Sequence, residues 1–279
     1  MLECVVNISE GRDEDAITAI SAAAGGHLLD VHTDAHHHRS VLTLLGEEAP
    51  RAVAEAAVAR LDLRRHAGAH PRIGVVDVVP FVPLDHSSPA DAVDARDAFV
   101  RWAVEELGVP CFRYGPLGPT TDGTRWTGWG EERSLPEVRR GAFITLIPDA
   151  APPAAFAAPH PTAGSIAVGA RPVLVAYNVW LAEPDLTRAK AIAADIRGPH
   201  LRTLGVAVGD RVQVSMNLIA PWTVDPAMAF DAVAARTAVA GAELVGLLPR
   251  SVLARIERAR WGELDLADDR TIEARRDRT

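Results

Sequence analysis

The sequence predicts an α+β protein of two ferredoxin-like halves, 1–168 and 169–279, each with the order β-α-β-β-α-β. Three observations carry this expectation. Apolar runs of strand and helix periodicity follow one another in that order over residues 2–79. The same order returns between Val173 and Leu248. The length, 279 residues, suits one large domain or two of roughly 100–170 residues.

In the first half, Leu2 to Ile8 is a short apolar run that reads as a buried strand. Asp13 caps a helix whose apolar face is Ile17, Ile20 and Ala24. Leu28 to Val31 and Val41 to Leu45 read as strands, joined by the polar link Thr33 to Ser40. Pro50 opens a second helix, with Val53, Ala57 and Leu61 at helical spacing. Ile73 to Val79 closes the set as a strand. An extension follows: a longer helix over Ser88 to Glu106, a loop rich in Gly, Thr and Trp from Pro116 to Glu132, and an extended Ala/Pro segment from Pro148 to Pro161.

In the second half, Val173 to Val179 reads as a strand, and Leu186, Ala189, Ala193 and Ile196 line a helix after Asp185. Leu204 to Val208 is a strand that Gly209-Asp210 turns into its partner, where Val212, Val214, Met216 and Leu218 alternate. Asp225-Pro226 starts a helix carrying Phe230 and Val233, and Leu244 to Leu248 is the last strand. The charged stretch Asp265 to Thr279 reads as a segment that frays or contributes to a surface helix.

Composition narrows the function classes. A net charge of −8 and the absence of a basic run interleaved with aromatics argue against nucleic acid as partner. No apolar run approaches the roughly 18 residues of a membrane helix. No basic start or small-residue cleavage site of a signal peptide precedes Val5. Two cysteines, Cys4 and Cys111, make no disulfide framework, so the expected compartment is the cytoplasm.

Candidate chemistry rests on histidines and a few charged residues. His36-His37-His38 cannot converge on one ion without an unusual turn, and no Cys, Asp or Glu spacing supports a metal there. His66 and His70 have the spacing of a helical zinc pair, but Gly68 and Pro71 argue for a loop and the zinc-protease glutamate is missing. A loop histidine before a buried strand, such as His70, is instead placed for proton transfer near neutral pH. Asp77 interrupts an apolar strand, which leaves two readings: a structural partner for a loop, or an orienting group near His70. His160-Pro161-Thr162-Ala163-Gly164, followed by Gly169-Ala170-Arg171, is a small-residue stretch where backbone can approach a flat ligand closely. No phosphate-binding or dinucleotide fingerprint and no nucleophile elbow occurs.

At these residues the sequence resembles the formiminotransferase domain of the glutamate formimidoyltransferase family, in its bacterial stand-alone form. Val5-Val6-Asn7-Ile8-Ser9-Glu10-Gly11 resembles the family's V-P-N-F-S-E-G. Leu29-Asp30-Val31 with His37-His38-Arg39-Ser40-Val41 resembles its second motif. His70-Pro71-Arg72-Ile73-Gly74 with Asp77-Val78 and Pro80-Phe81 resembles H-P-R-x-G-x-x-D-V-x-P-F. Gly169-Ala170-Arg171, Ala176-Tyr177-Asn178-Val179, Val214-Ser215-Met216-Asn217-Leu218 and Glu243-Leu244-Val245-Gly246-Leu247 match in the second half. Two differences stand out: Ala69 replaces the acidic residue usual before the motif histidine, and Asp149-Ala150-Ala151-Pro152 replaces D-F-G-P.

The resemblance implies two ferredoxin-like subdomains with a cleft between them. It implies transfer of a formimino group from N-formimino-L-glutamate to tetrahydrofolate as co-substrate, without a metal, in a cytoplasmic homodimer. His70 falls on the family's acid/base histidine. The substrate- and folate-binding residues implied are Asp30, His37, His38, Arg39, Arg72, Asp77 and the segment His160, Pro161, Thr162, Ala163, Gly164. The alternatives are an enzyme acting on 5-formyltetrahydrofolate and a non-catalytic folate or small-molecule binding paralogue.

Overall fold

The structure, a computed structural model, describes residues 1–68, 71–115, 133–153, 156 and 158–278. The expected loop Pro116 to Glu132 and the expected acid/base residue His70 lie outside the described residues. The chain divides into two compact units, Met1–Pro172 and Val173–Thr279. A division at 168/169 would fall inside a strand of the first unit, Ile166–Ala170.

In the first unit β1 is Leu2–Ile8, α1 Glu14–Ala22, β2 Leu28–Asp34, β3 Arg39–Leu45, α2 Glu48–Arg60 and β4 Val76–Pro83. The sheet order β2-β3-β1-β4 puts β1 in the centre, antiparallel to both β3 and β4, as a ferredoxin-like unit requires. Cys4, Val6 and Ile8 of β1 and Leu42 and Leu44 of β3 face the helices and pack with Ile20, Val53 and Ala57. The caps follow the sequence: the Asp13 carboxylate accepts the Ala16 N–H at 2.9 Å. Pro50 lies within the first turn of α2, which begins two residues earlier.

The extension adds α3 (Pro89–Glu105), β5 (Cys111–Tyr114), α4 (Leu135–Gly141) and β6 (Ile166–Ala170). Ser88 and Asp91 form a reciprocal capping box on α3. β6 joins β4 in parallel and β5 joins β6, so the sheet has six strands, not the four of the expected repeat. Short strands such as Cys111–Tyr114 carry too few residues to show alternation, which is why the sequence did not reveal them. The Ala/Pro segment is tied back to β5, with the Asp149 N–H donating to the Cys111 carbonyl at 2.9 Å.

β4 starts at Val76, three residues later than expected, because Asp77 distorts its beginning. The register with β1 passes from Asn7↔Val78 to Ile8↔Val76, so Asp77 is the extra residue of a bulge. Its carboxylate captures the Ile73 N–H at 2.8 Å, and Ile73–Val75 bridges instead to the segment 163–165, with Gly74 opposite Gly164.

In the second unit β7 is Val175–Leu181, α5 Leu186–Ile196, β8 Leu201–Val208, β9 Arg211–Leu218, α6 Pro226–Ala234 and β10 Val239–Val245. The order β10-β7-β9-β8 repeats the ferredoxin-like arrangement. Asp185 and Asp225 cap α5 and α6 through the Arg188 and Met228 N–H groups, each at 2.9 Å. Gly209, in the left-handed region at φ +62°, makes the two-residue hairpin turn between β8 and β9. The charged C-terminal stretch carries a short helix, Ile272–Arg276, as its surface-helix reading expects, and is docked rather than frayed. Ile272 is buried, Thr271 bridges to Leu248, and the buried Tyr177 hydroxyl donates to the Leu264 carbonyl at 2.9 Å. Among the described residues no helix is long and apolar enough to cross a membrane.

α5 lies on β8 at Gly205, where a Cβ would collide with the Lys190 backbone nitrogen. Gly205→Ala is expected to destabilise the second unit by about 1–3 kcal/mol through overpacking. An unchanged urea midpoint would show that α5 shifts at no cost.

Candidate functional site

Asp77 anchors one end of the first sheet. Its side chain is 1% exposed, and a buried carboxylate must be answered by donors. The Ile73 N–H and the Arg139 guanidinium on α4 answer it. Two further arginines come within reach of its charge, Arg39 at the start of β3 and Arg72 in the segment before β4. Burial lowers the pKa of both, and the Asp77 charge opposes that in each. Arg139 adds to the lowering at Arg39, a like charge beside it. Arg139 thus bonds Asp77, and the Asp77 charge also acts on Arg39 and Arg72, with Asp34 acting on Arg39 as well. Such a cluster is suited to bind carboxylates by forked hydrogen bonds.

A second cluster is built on Glu10, in the loop after β1. Its Oε1 accepts the N–H groups of Gly11, Arg12 and Asp13 at 2.8–3.0 Å and faces His38 Nε2 at 2.9 Å. Burial alone would raise this carboxyl; the Asp13 and Arg12 N–H groups and the His38 ring hold it below its usual range. His38 sits in the hairpin between β2 and β3 with φ +53°, a strained conformation for a non-glycine residue. Its Nδ1 faces the Ala67 carbonyl at 3.1 Å. The His66 ring stacks on His38 with centroids 4.1 Å apart and 18° between planes.

His66 Nε2 donates to the His38 carbonyl at 2.8 Å, and Nδ1 accepts from Arg72. Arg72 Nη2 donates to the Gly68 carbonyl at 2.5 Å. Burial, then the charges of Arg72 and His38, push the His66 imidazole below its usual range, against the His38 carbonyl and Glu10. Gly68 leaves room for nothing larger: a Cβ would stand 2.6 Å from His38 Cβ and 2.7 Å from the His37 carbonyl.

The other expected residues divide. In the hairpin, His37 Nδ1 bonds Asp34 Oδ2 at 2.6 Å and its N–H donates to Oδ1 at 2.8 Å. Burial would raise Asp34, yet these bonds hold it well below the usual carboxylate range. Asp30 shares a sheet face with Asp34 and Arg39 but stands roughly 13 Å along the strand, four residues at about 3.3 Å each.

His160, Pro161, Thr162, Ala163 and Gly164 form a tight turn closed by reciprocal backbone bonds between His160 and Gly164 at 2.8 and 2.9 Å. His160 Nδ1 accepts the Ala163 N–H at 3.0 Å and the Thr162 N–H at 3.3 Å. The turn packs on the segment before β4, through Leu63 N to the Thr162 carbonyl and Val75 N to the Ala163 carbonyl. With Ile73, Phe143 and Ser165 it lines a cavity of about 500 Å³.

Glu10, Asp34, His66 and Arg139 were not among the expected site residues. In the sequence Glu10 lies inside the first motif with no role of its own, and the spacing of His66 points only to half of a zinc pair. Arg139 carries no sequence signal, because α4 is short and its approach to Asp77 is purely tertiary. Among the described residues no group of three or more His, Cys, Asp or Glu is arranged to hold a metal ion.

The family model described as "Formiminotransferase domain, N-terminal subdomain" matches residues 1–171. Glutamate formimidoyltransferase of Streptococcus pyogenes serotype M1 is 35% identical over 279 residues, covering 91% of this chain and 90% of that protein. Glutamate formimidoyltransferase of Thermoplasma acidophilum is 32% identical over 277 residues, covering 91% and 89%. Formimidoyltransferase-cyclodeaminase of Gallus gallus is 32% identical, and the chain spans about half of its length, 51%.

Two outcomes test this geometry. Asp77→Ala strips Arg139 of its counter-charge and Ile73 of its acceptor, with an expected loss of about 3–5 kcal/mol by chemical denaturation. A loss below about 1 kcal/mol would show that water replaces both bonds. Glu10 and Asp34 have folded pKa values below their unfolded ones. Their stabilisation is therefore complete above the ordinary carboxylate range and is lost as pH falls towards the lowered values. The acid limb of the stability–pH curve should flatten in Glu10→Gln, and an unaltered limb would remove Glu10 from that role.

Proposed function

The chain belongs to the formiminotransferase-domain family, and from that premise we propose that it transfers a formimino group from N-formimino-L-glutamate to tetrahydrofolate. The reading is supported by Arg139 bonded to Asp77 and by the Asp77 charge acting on Arg39 and Arg72. The donor brings two carboxylates, and guanidinium forks are the chemistry that recognises them.

The reaction needs one bond made and one broken. N5 of tetrahydrofolate attacks the formimino carbon, forming a C–N bond, and loses a proton. The bond from that carbon to the glutamate nitrogen breaks, and the departing nitrogen gains a proton. His70 is the proposed carrier of both protons, a contribution of roughly 10²–10⁴-fold. Arg39 and Arg72 take the donor's carboxylates. Asp77 orients them through its charge and keeps Arg139 in place. The protonated amidine is already electrophilic, so the proposed reaction uses no metal.

Tetrahydrofolate is assigned to the His160–Gly164 turn. The support is the cavity of about 500 Å³ that His160, Pro161 and Gly164 help to line, roomy enough for a flat ring. Asp30, His37 and His38 complete the proposed binding set. His37 and His38 act by fixing the hairpin that presents Arg39. The proposed assembly is a cytoplasmic homodimer.

Calorimetry with tetrahydrofolate or folinate should show binding, and none at high micromolar ligand would overturn both the transferase reading and that of a folate-binding paralogue. In a transfer assay His70→Ala is expected to lose about 10²–10⁴-fold in rate. Equal activity would remove His70 from catalysis. Arg39→Ala and Arg72→Ala should each weaken donor binding by roughly 1.5–3 kcal/mol; unchanged affinity in both would place the carboxylates elsewhere. Formyl transfer from 5-formyltetrahydrofolate, with no formimino transfer, would identify the alternative enzyme.

A further inference from the structure

The two ring nitrogens of His66 have opposite tasks. Nε2 faces the His38 carbonyl at 2.8 Å, which only accepts, so Nε2 carries the hydrogen. Nδ1 faces the Arg72 guanidinium, which only donates, so Nδ1 keeps its lone pair. The partners thereby select one neutral tautomer. The ring is clamped flat on His38 at 4.1 Å, and His38 is itself held by Glu10 at 2.9 Å and faces the Ala67 carbonyl. Arg72 is therefore gripped at two points, on His66 Nδ1 and on the Gly68 carbonyl.

We propose that His66 is a positioning residue: its neutral imidazole holds the Arg72 guanidinium in the orientation that meets a carboxylate of the acidic donor. A long, flexible side chain fixed before binding loses less freedom when the ligand arrives, so the hold appears as donor affinity. The inference rests on the reading of the chain as a formimino transferase. It adds a residue that touches neither donor nor folate. The charged and titratable groups facing the ring are Arg72, His38 and Glu10. Protonating His66 would set an N–H against the guanidinium, so the grip on Arg72 is released as pH falls.

The test is steady-state kinetics with N-formimino-L-glutamate and tetrahydrofolate on wild type, His66→Ala, His66→Asn, Arg72→Ala and the His66→Ala/Arg72→Ala pair. His66→Ala should raise the donor KM about tenfold and leave the tetrahydrofolate KM within about twofold. His66→Asn, whose amide oxygen replaces the Nδ1 acceptor, should recover most of that loss. The double variant should be no worse than Arg72→Ala alone, because the two residues act as one unit. Independent losses that multiply in the double variant would overturn the inference, as would an unchanged donor KM in His66→Ala. Nitrogen-15 imidazole spectra of the full chain give a readout that needs no turnover. The Nε2–H tautomer is expected, with a titration midpoint that rises in Arg72→Ala; the Nδ1–H tautomer would overturn the assignment. A wild-type chain that shows the expected spectra and no transfer would overturn the functional reading, and with it this role for His66.

Discussion

The candidate site depends on one buried carboxylate. Asp77 lies in a strand with apolar neighbours on both sides, where an ionised group survives only if donors surround it. Its demands shape the whole end of the sheet. The bulge in β4, the capture of Ile73 and the docking of α4 through Arg139 all answer it. Energetically such an ion pair contributes little net stability, because desolvation offsets most of the attraction. What it secures is position: guanidinium groups drawn to one place that solvent alone would have dispersed.

Around that anchor, three pieces of chain with no adjacency in sequence are locked together by short polar contacts. The loop after β1 brings Glu10, the β2–β3 hairpin brings His37, His38 and Arg39, and the segment before β4 brings His66 and Arg72. Glycine makes the approach possible, since a side chain at Gly11 or Gly68 would drive into the hairpin backbone or His38. The strain at His38 is sustained by this surrounding contact set, the usual condition under which a functional site keeps a disfavoured backbone. The arrangement fits chemistry in which charge must be held still while protons move.

Legibility in the sequence followed the range of the interactions. The strand Leu2–Ile8, the helix after Asp185 and the turn at Gly209 were readable because periodicity, capping and turn chemistry act over a few residues. The added strands β5 and β6 were not, because one is short and both are defined by parallel partners far along the chain. The docking of the C-terminal stretch was hidden, because its charge masks the few contacts, at Thr271 and Ile272, that hold it. For the site, Arg39, Arg72 and Asp77 stood out as motif residues. Arg139 and the linkage of Glu10 through His38 to His66 did not, since nothing local marks a side chain for a partner dozens of residues away.

By itself, then, the sequence determined the doubled β-α-β-β-α-β order, its caps and turns, and the residue types available for acid–base and carboxylate chemistry. These depend on local propensity and on the pattern of apolar side chains. Only the tertiary structure decided that the first sheet has six strands, that Asp77 is a bulge residue answered by Arg139, and that His66 faces Arg72 with its lone pair. Each of those is a matter of burial and hydrogen-bond partners. A partner exists only once the chain has folded far enough to bring distant segments within about 3 Å of one another.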